Sequence, residues 1–99
     1  MDDTPYLFDY SGDVNEQFRG VLAQARALGR EAEVRAEAAR LFADLKKNPY
    51  KVGESRNVYT AAGIRERFAV YGPLVVFFGV MDTRRAVVIS RIWLRAKGW

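Results

Sequence analysis

The 99-residue chain sets sixteen lysines and arginines against twelve acidic residues, a net charge of +4, and 49% of it is hydrophobic. That describes one globular domain, residues 1–99, and excludes a disordered chain. With no cysteine and no histidine, disulfides, thiolate metal sites and histidine acid–base catalysis are excluded, and neither metal nor cofactor is expected.

The charge is unevenly divided. Residues 1–45 hold nine acidic and five basic side chains, residues 46–99 three acidic and eleven basic. The second half therefore suits an anionic partner, nucleic acid first. The opening MDDTPYLF lacks the basic and apolar regions of a secretory signal. The longest apolar run, residues 74–80, has the length of a strand and not of a membrane span. A soluble, cytoplasmic protein is expected.

Residues 5–10 (PYLFDY) read as a short aromatic strand, broken by Ser11-Gly12. Asp13 is placed to cap a helix, with Glu16 as its capping-box partner. Val14, Phe18, Val21, Leu22, Ala25 and Leu28 share one face at helical spacing. Gly29 ends that helix in the left-handed conformation. A second helix spans about residues 31–47, with the stripe Val34, Ala38, Leu41, Phe42 and Leu45. Glu31 pairs with Arg35 along it, Lys46 and Lys47 complement its last turn, and Asn48-Pro49 stops it. Residues 49–63 read as a loop with one short extended piece near Val58 and Tyr59.

The remainder reads as a three-strand meander. Residues 64–71 alternate, with Ile64, Phe68 and Val70 on one face and Arg65, Arg67 and Tyr71 on the other. Gly72-Pro73 turns the chain. Residues 74–80 are apolar on both faces, as in a central strand covered on both sides at least in part. A hairpin loop at 81–84 leads to a last strand, 85–94. Strict alternation there puts Val88, Ile92 and Leu94 on one face and Val87, Ile89, Arg91, Trp93 and Arg95 on the other. The order is β-α-α-β-β-β, an α+β domain in which a helical hairpin packs on one face of an antiparallel sheet.

The basic and aromatic residues of the β half carry the functional signal. Arg91, Trp93 and Arg95 share a face of the last strand, with Tyr71 at the same end of the sheet. Arginine forks grip phosphates, and aromatic rings stack on unpaired bases. Arg65 and Arg67 lie toward the opposite end, near Arg84 and Arg85. Trp93 has two readings: a stacking platform, or a core residue packed on the first helix through Phe18.

The element order and the block IRERFAVYGPLVVFFGVMDTRRAVVISRIWL resemble the RelE/ParE superfamily of toxins from type II toxin–antitoxin systems. So do the helix ending in LKKNP, the arginine opening the next strand and the closing strand VVISRIWL. The resemblance implies an antitoxin partner. It also implies one of two targets: messenger RNA cleaved on the ribosome, as in RelE-like endoribonucleases, or DNA gyrase, as in ParE-like members. It puts Lys46, Lys47 and Lys51 at a basic edge of the second helix and its loop, and Arg91, Trp93 and Arg95 at the closing strand. With Arg67, Tyr71, Arg84 and Arg85 from the strand pattern, the three lysines and Trp93 make up the expected nucleic-acid-binding set. In a nuclease, Arg91, Arg95 and Arg65 would be the catalytic cations. The sequence departs from the nuclease pattern at Val75, where an arginine is usual, and has no histidine in the closing strand. A non-catalytic binder on the same scaffold is therefore the alternative, with a small RNA-binding domain as a third reading.

Overall fold

The computed structural model describes residues 5–10, 13–59 and 64–95, with the backbone alone at Tyr10, Asn57, Val58 and Tyr59. The expected break at Ser11-Gly12, Gly63 in the loop and the closing residues Ala96 to Trp99 lie outside the described residues. Within them the elements run β1 (Leu7–Tyr10), α1 (Val14–Ala27), α2 (Glu31–Lys47), β2 (Glu54–Tyr59), β3 (Arg65–Tyr71), β4 (Leu74–Met81) and β5 (Ala86–Leu94). Single 3-10 turns occupy Pro49–Lys51 and Asp82–Arg84.

The domain is α+β with a helical hairpin on one face of the sheet, as the periodicities predict. The sheet has five strands in the order β1-β5-β4-β3-β2. Two features extend the expected pattern. The segment read as a loop contains β2, which pairs antiparallel with β3. β1 lies parallel to β5, so the sheet is mixed, although the meander itself is antiparallel. A parallel pair needs a long connection, and the two helices and three strands between β1 and β5 supply it.

Both helices bury the stripes their spacing predicts. α1 buries Val14, Val21 and Ala25, and α2 buries Val34, Ala38, Leu41 and Leu45. Leu28, at the hairpin apex, is exposed. Phe42 meets Phe8 and Phe18 edge-on, with centroids 5.3 and 6.1 Å apart, joining both helices to β1. Gly29 takes φ 71°, as a left-handed helix terminus requires. Asp13 stands at the N-cap of α1 but makes no side-chain capping bond, so the expected capping box does not form. The Glu31–Arg35 pair forms at 2.9 Å, and Arg26 joins the same carboxylate at 3.0 Å. These two cations hold Glu31 down to about 2, Arg26 contributing most.

The closing strand departs from strict alternation. Phe77 pairs with Arg91 but Phe78 pairs with Ile89, so Ser90 is an extra residue, a β-bulge. The bulge reverses parity. Val87, Ile89, Ile92 and Leu94 all face the helices and are buried, while Val88, Arg91 and Trp93 turn away. Alternation across residues 85–94 had placed Val87 and Ile89 with Arg91, and the inserted residue is why that grouping fails. Two side chains bind backbone groups beside the bulge. Ser90 Oγ donates to the Phe77 carbonyl at 3.1 Å, and the Ile92 N–H donates to Gln17 Oε1 of α1 at 3.0 Å. Buried backbone polar groups need such partners.

Candidate nucleic-acid interface

Directly paired residues of an antiparallel ladder share a face. The register Val70–Val75–Trp93 and the register Tyr71–Leu74–Leu94 therefore lie on opposite faces. Leu74 and Leu94 are buried under the helices. Trp93 is on the other face, which among the described residues no helix covers (the helix-free face), and this removes the reading that packs it on Phe18. It is half-buried there by its own neighbours. Phe77 meets it edge-on, with centroids 4.8 Å apart, and the Arg91 guanidinium lies over its ring at 4.6 Å.

Beside this pair stands a residue that sequence reading passed over. Arg56 of β2 holds its guanidinium 4.2 Å from the Phe77 ring centroid and donates through Nη1 to Glu66 Oε1. Glu66 in turn accepts a longer hydrogen bond from Ser90 Oγ, 3.4 Å. The helix-free face thus carries an aromatic pair with a guanidinium over each ring. The sequence signal for Arg56 was its opposite charge to Glu66 across a hairpin. Without β2 recognised as a strand, that pairing could not be seen.

The other sequence-selected residues are distributed around the sheet. Arg95 is exposed just past β5, its backbone N–H bonded to the Pro73 carbonyl at 2.8 Å, at the same end as Trp93. Tyr71 shares that end but faces the helices. Its hydroxyl donates to Asp44 Oδ2 at 2.6 Å and Arg40 lies over its ring at 4.8 Å. Burial, then the bond to Asp44, pushes its hydroxyl up to about 12. Arg67 also turns to the helix side. Its Nη2 donates to the carbonyls of Tyr50, Val52 and Gly53 at 3.1–3.2 Å, tying the turn before β2 to β3. Gly53 is required there: it takes φ 64°, and a β-carbon would collide with the Phe68 carbonyl.

Arg65 lines a cleft of about 650 Å³ at the far end of the sheet with Tyr50, Arg67, Met81, Asp82 and Thr83. Tyr50 donates to Asp82 in that cleft, and burial followed by this bond pushes its hydroxyl up to about 12. Arg84 is exposed on the neighbouring turn, and Arg85, in the left-handed conformation at φ 45°, lies over Tyr6 at 4.4 Å. Lys46 sits 5.9 Å above Phe8, and Lys47 and Lys51 are exposed near the end of α2. The fold therefore brings Arg91 and Trp93 together on one face with Arg95 at the strand end. It does not bring Arg65, Arg67, Tyr71 or the three lysines to that face.

Val75 is also on the helix-free face, in register with Trp93, and is 7% exposed. A buried valine occupies the centre of this face. Among the described residues, no helix is long and apolar enough to cross a membrane.

No protein-family model and no curated protein matches this sequence. Among solved structures, the chain is similar to one from the RelBE2 toxin–antitoxin complex of Mycobacterium tuberculosis. The TM-score is 0.65 at 22% sequence identity, covering 97% of this chain and 100% of that one. The two share a fold, which agrees with the resemblance to the RelE/ParE superfamily read from the sequence pattern.

Proposed function

We propose that the chain is the toxin-like component of a type II toxin–antitoxin pair, and that its helix-free face meets RNA, with messenger RNA on the ribosome as the substrate of an endoribonuclease. The observation that supports this most is Arg91 lying over Trp93 on the sheet face that neither α1 nor α2 covers, with Arg95 exposed at the strand's end. A guanidinium fork suits a phosphodiester and an indole suits an unpaired base. With no histidine in the chain, the protein's contribution to cleavage is positioning and charge stabilisation. Arg91 and Arg95 hold the scissile phosphate while the neighbouring 2′-oxygen attacks phosphorus, its proton passing to water. The 5′-oxygen leaves with a proton from water, and a 2′,3′-cyclic phosphate remains. Losing one such donor costs about 10²–10³ in rate. The partner is an antitoxin that covers this basic face.

A second reading, a non-catalytic binder that acts on gyrase or only forms a complex, is favoured by buried Val75 at the centre of the face. Induced expression separates the two. Growth arrest with messenger cut at defined codons, both lost in an Arg91→Ala/Arg95→Ala double variant, supports the nuclease. Arrest with intact messenger and inhibited gyrase supports the binder. Arrest and cleavage unchanged in the double variant would sink the assignment of these arginines. Binding to RNA without arrest would leave a small RNA-binding domain.

A further inference from the structure

Arg56 is the unexplained residue of the helix-free face. It belongs to an edge strand of largely polar sequence (ESRNVY), yet its guanidinium is held on two sides, by the Phe77 ring and by Glu66. The Glu66 side chain is only 16% exposed, whereas that of Arg56 is 36% exposed. The carboxylate is thus the buried partner and the guanidinium the accessible one. The hydroxyl of Ser90, the bulge residue, lies 3.4 Å from Glu66 and shares its one proton with the nearer Phe77 carbonyl, and its neighbour Arg91 covers Trp93. One local device, the bulge, therefore connects both guanidiniums. Its hydroxyl reaches toward the carboxylate that holds Arg56, and its extra residue turns Arg91 onto the same face. The contact with Glu66 uses Nη1 of a group that carries five N–H donors.

We propose that Arg56 is a second phosphate-binding arginine of this face, held by Glu66 on the far side of the Phe77–Trp93 pair from Arg91, so that a single nucleic-acid strand is gripped by its backbone on both sides of the aromatic pair. Arginine stacked on an aromatic ring is pre-organised for this role, because its planar fork loses little freedom on meeting a phosphate. The ligand is single-stranded, since a base must be unstacked before its face can meet these half-buried rings. This inference rests on the reading of the face as an RNA-binding surface.

The test is binding of a labelled oligouridine RNA to the full chain, followed by fluorescence anisotropy across about 50–200 mM potassium chloride. For single strands the slope of log affinity against log salt is about −0.7 per phosphate contact. Arg56→Ala should make the wild-type slope shallower by about 0.7, as should Arg91→Ala, and the two losses should add. Arg56→Lys, which keeps the charge, should retain the wild-type slope. Circular dichroism confirms that each variant is folded. If the slope falls for Arg91→Ala but not for Arg56→Ala, this inference is overturned while the RNA reading stands. If Arg56→Lys loses as much slope as Arg56→Ala, the phosphate contact is likewise rejected. A wild-type affinity insensitive to salt overturns both.

Discussion

The helix-covered and helix-free faces of this sheet are built from the same strands, and they solve the same problem in different ways. On the covered face, Leu74, Val76, Phe78, Val87, Ile89 and Ile92 are each at most 2% exposed, because α1 and α2 lie over them. On the free face, Phe77 and Trp93 have no helix to cover them. They are shielded by each other and by Arg56 and Arg91. Guanidiniums can serve this way because their stems are apolar and their heads stay in water. The difference has a functional consequence. Contacts of an exposed cation with a ring are worth about 0.5–1 kcal/mol each, so a ligand can displace or recruit the arginines at small cost. Removing a helix from the other face would cost the fold.

The sharpest way to break this comparison is to truncate two neighbours on one strand. Phe78→Ala, on the covered side, should cost about 3–5 kcal/mol, a large share of the stability of a domain this size. Phe77→Ala, one residue away on the free side, should cost about 1–2 kcal/mol. Urea denaturation measures both. Equal losses would mean that the free face is as much a core as the other.

Two arginines sharpen the comparison at a smaller scale. Arg67→Ala removes the donor to three carbonyls at the turn into β2 and should cost about 1–3 kcal/mol. Amide exchange should quicken at residues 51–53. Arg91→Ala, on the free face, should cost only the contact with the Trp93 ring, about 0.5–1 kcal/mol, while weakening RNA binding. Arg67 was singled out from sequence as a nucleic-acid contact and Arg91 as a catalytic cation, and this pair of measurements tells a structural arginine from an accessible one. If Arg67→Ala leaves stability unchanged and weakens RNA binding instead, the division of labour drawn between the two faces is wrong.

The legible parts of this fold were those fixed by local chemistry. α2 spans Glu31–Lys47 because its apolar stripe, its helix-favouring alanines and Pro49 all agree on the same boundaries. β4 reads as central because it is apolar on both faces. Three things were hidden. β2 is polar, and its pairing with β3 is a tertiary event that no local pattern announces. β1 meets β5 across most of the chain. The bulge at Ser90 follows a stretch, Val87-Val88-Ile89, that is apolar whichever way it alternates, so one inserted residue leaves no trace in the pattern. The site followed from these. Arg91 and Trp93 are found by their spacing beyond the bulge, where strict alternation is restored. Arg56 lay in the strand that was not seen, and Tyr71 and Arg67 were grouped with the basic face because alternation alone cannot say which face the helices cover.

Tyr71 supplies the finest test, through pH. Its hydroxyl, ordinarily near 10.0, is raised to about 12 by burial and by the Asp44 carboxylate it bonds. A raised value in the folded state means the stabilisation is fully present below pH 10 and is lost as pH climbs through 10 toward 12. Tyr71→Phe removes that titration, so wild type and variant should differ most at pH 8 and converge by pH 11–12 in urea midpoint. Tyr50 carries a similar shift through burial and its bond to Asp82, but it is present in both proteins and cancels from the difference. The helix-free face makes no such contribution, because its aromatic pair, Phe77 and Trp93, has no acidic proton in this range. Converging midpoints therefore locate the alkaline sensitivity of Tyr71 on the helix side. A gap that stays constant from pH 8 to 11 would show that Asp44 does not hold the tyrosine proton, and the contact joining α2 to the end of β3 would lose its support.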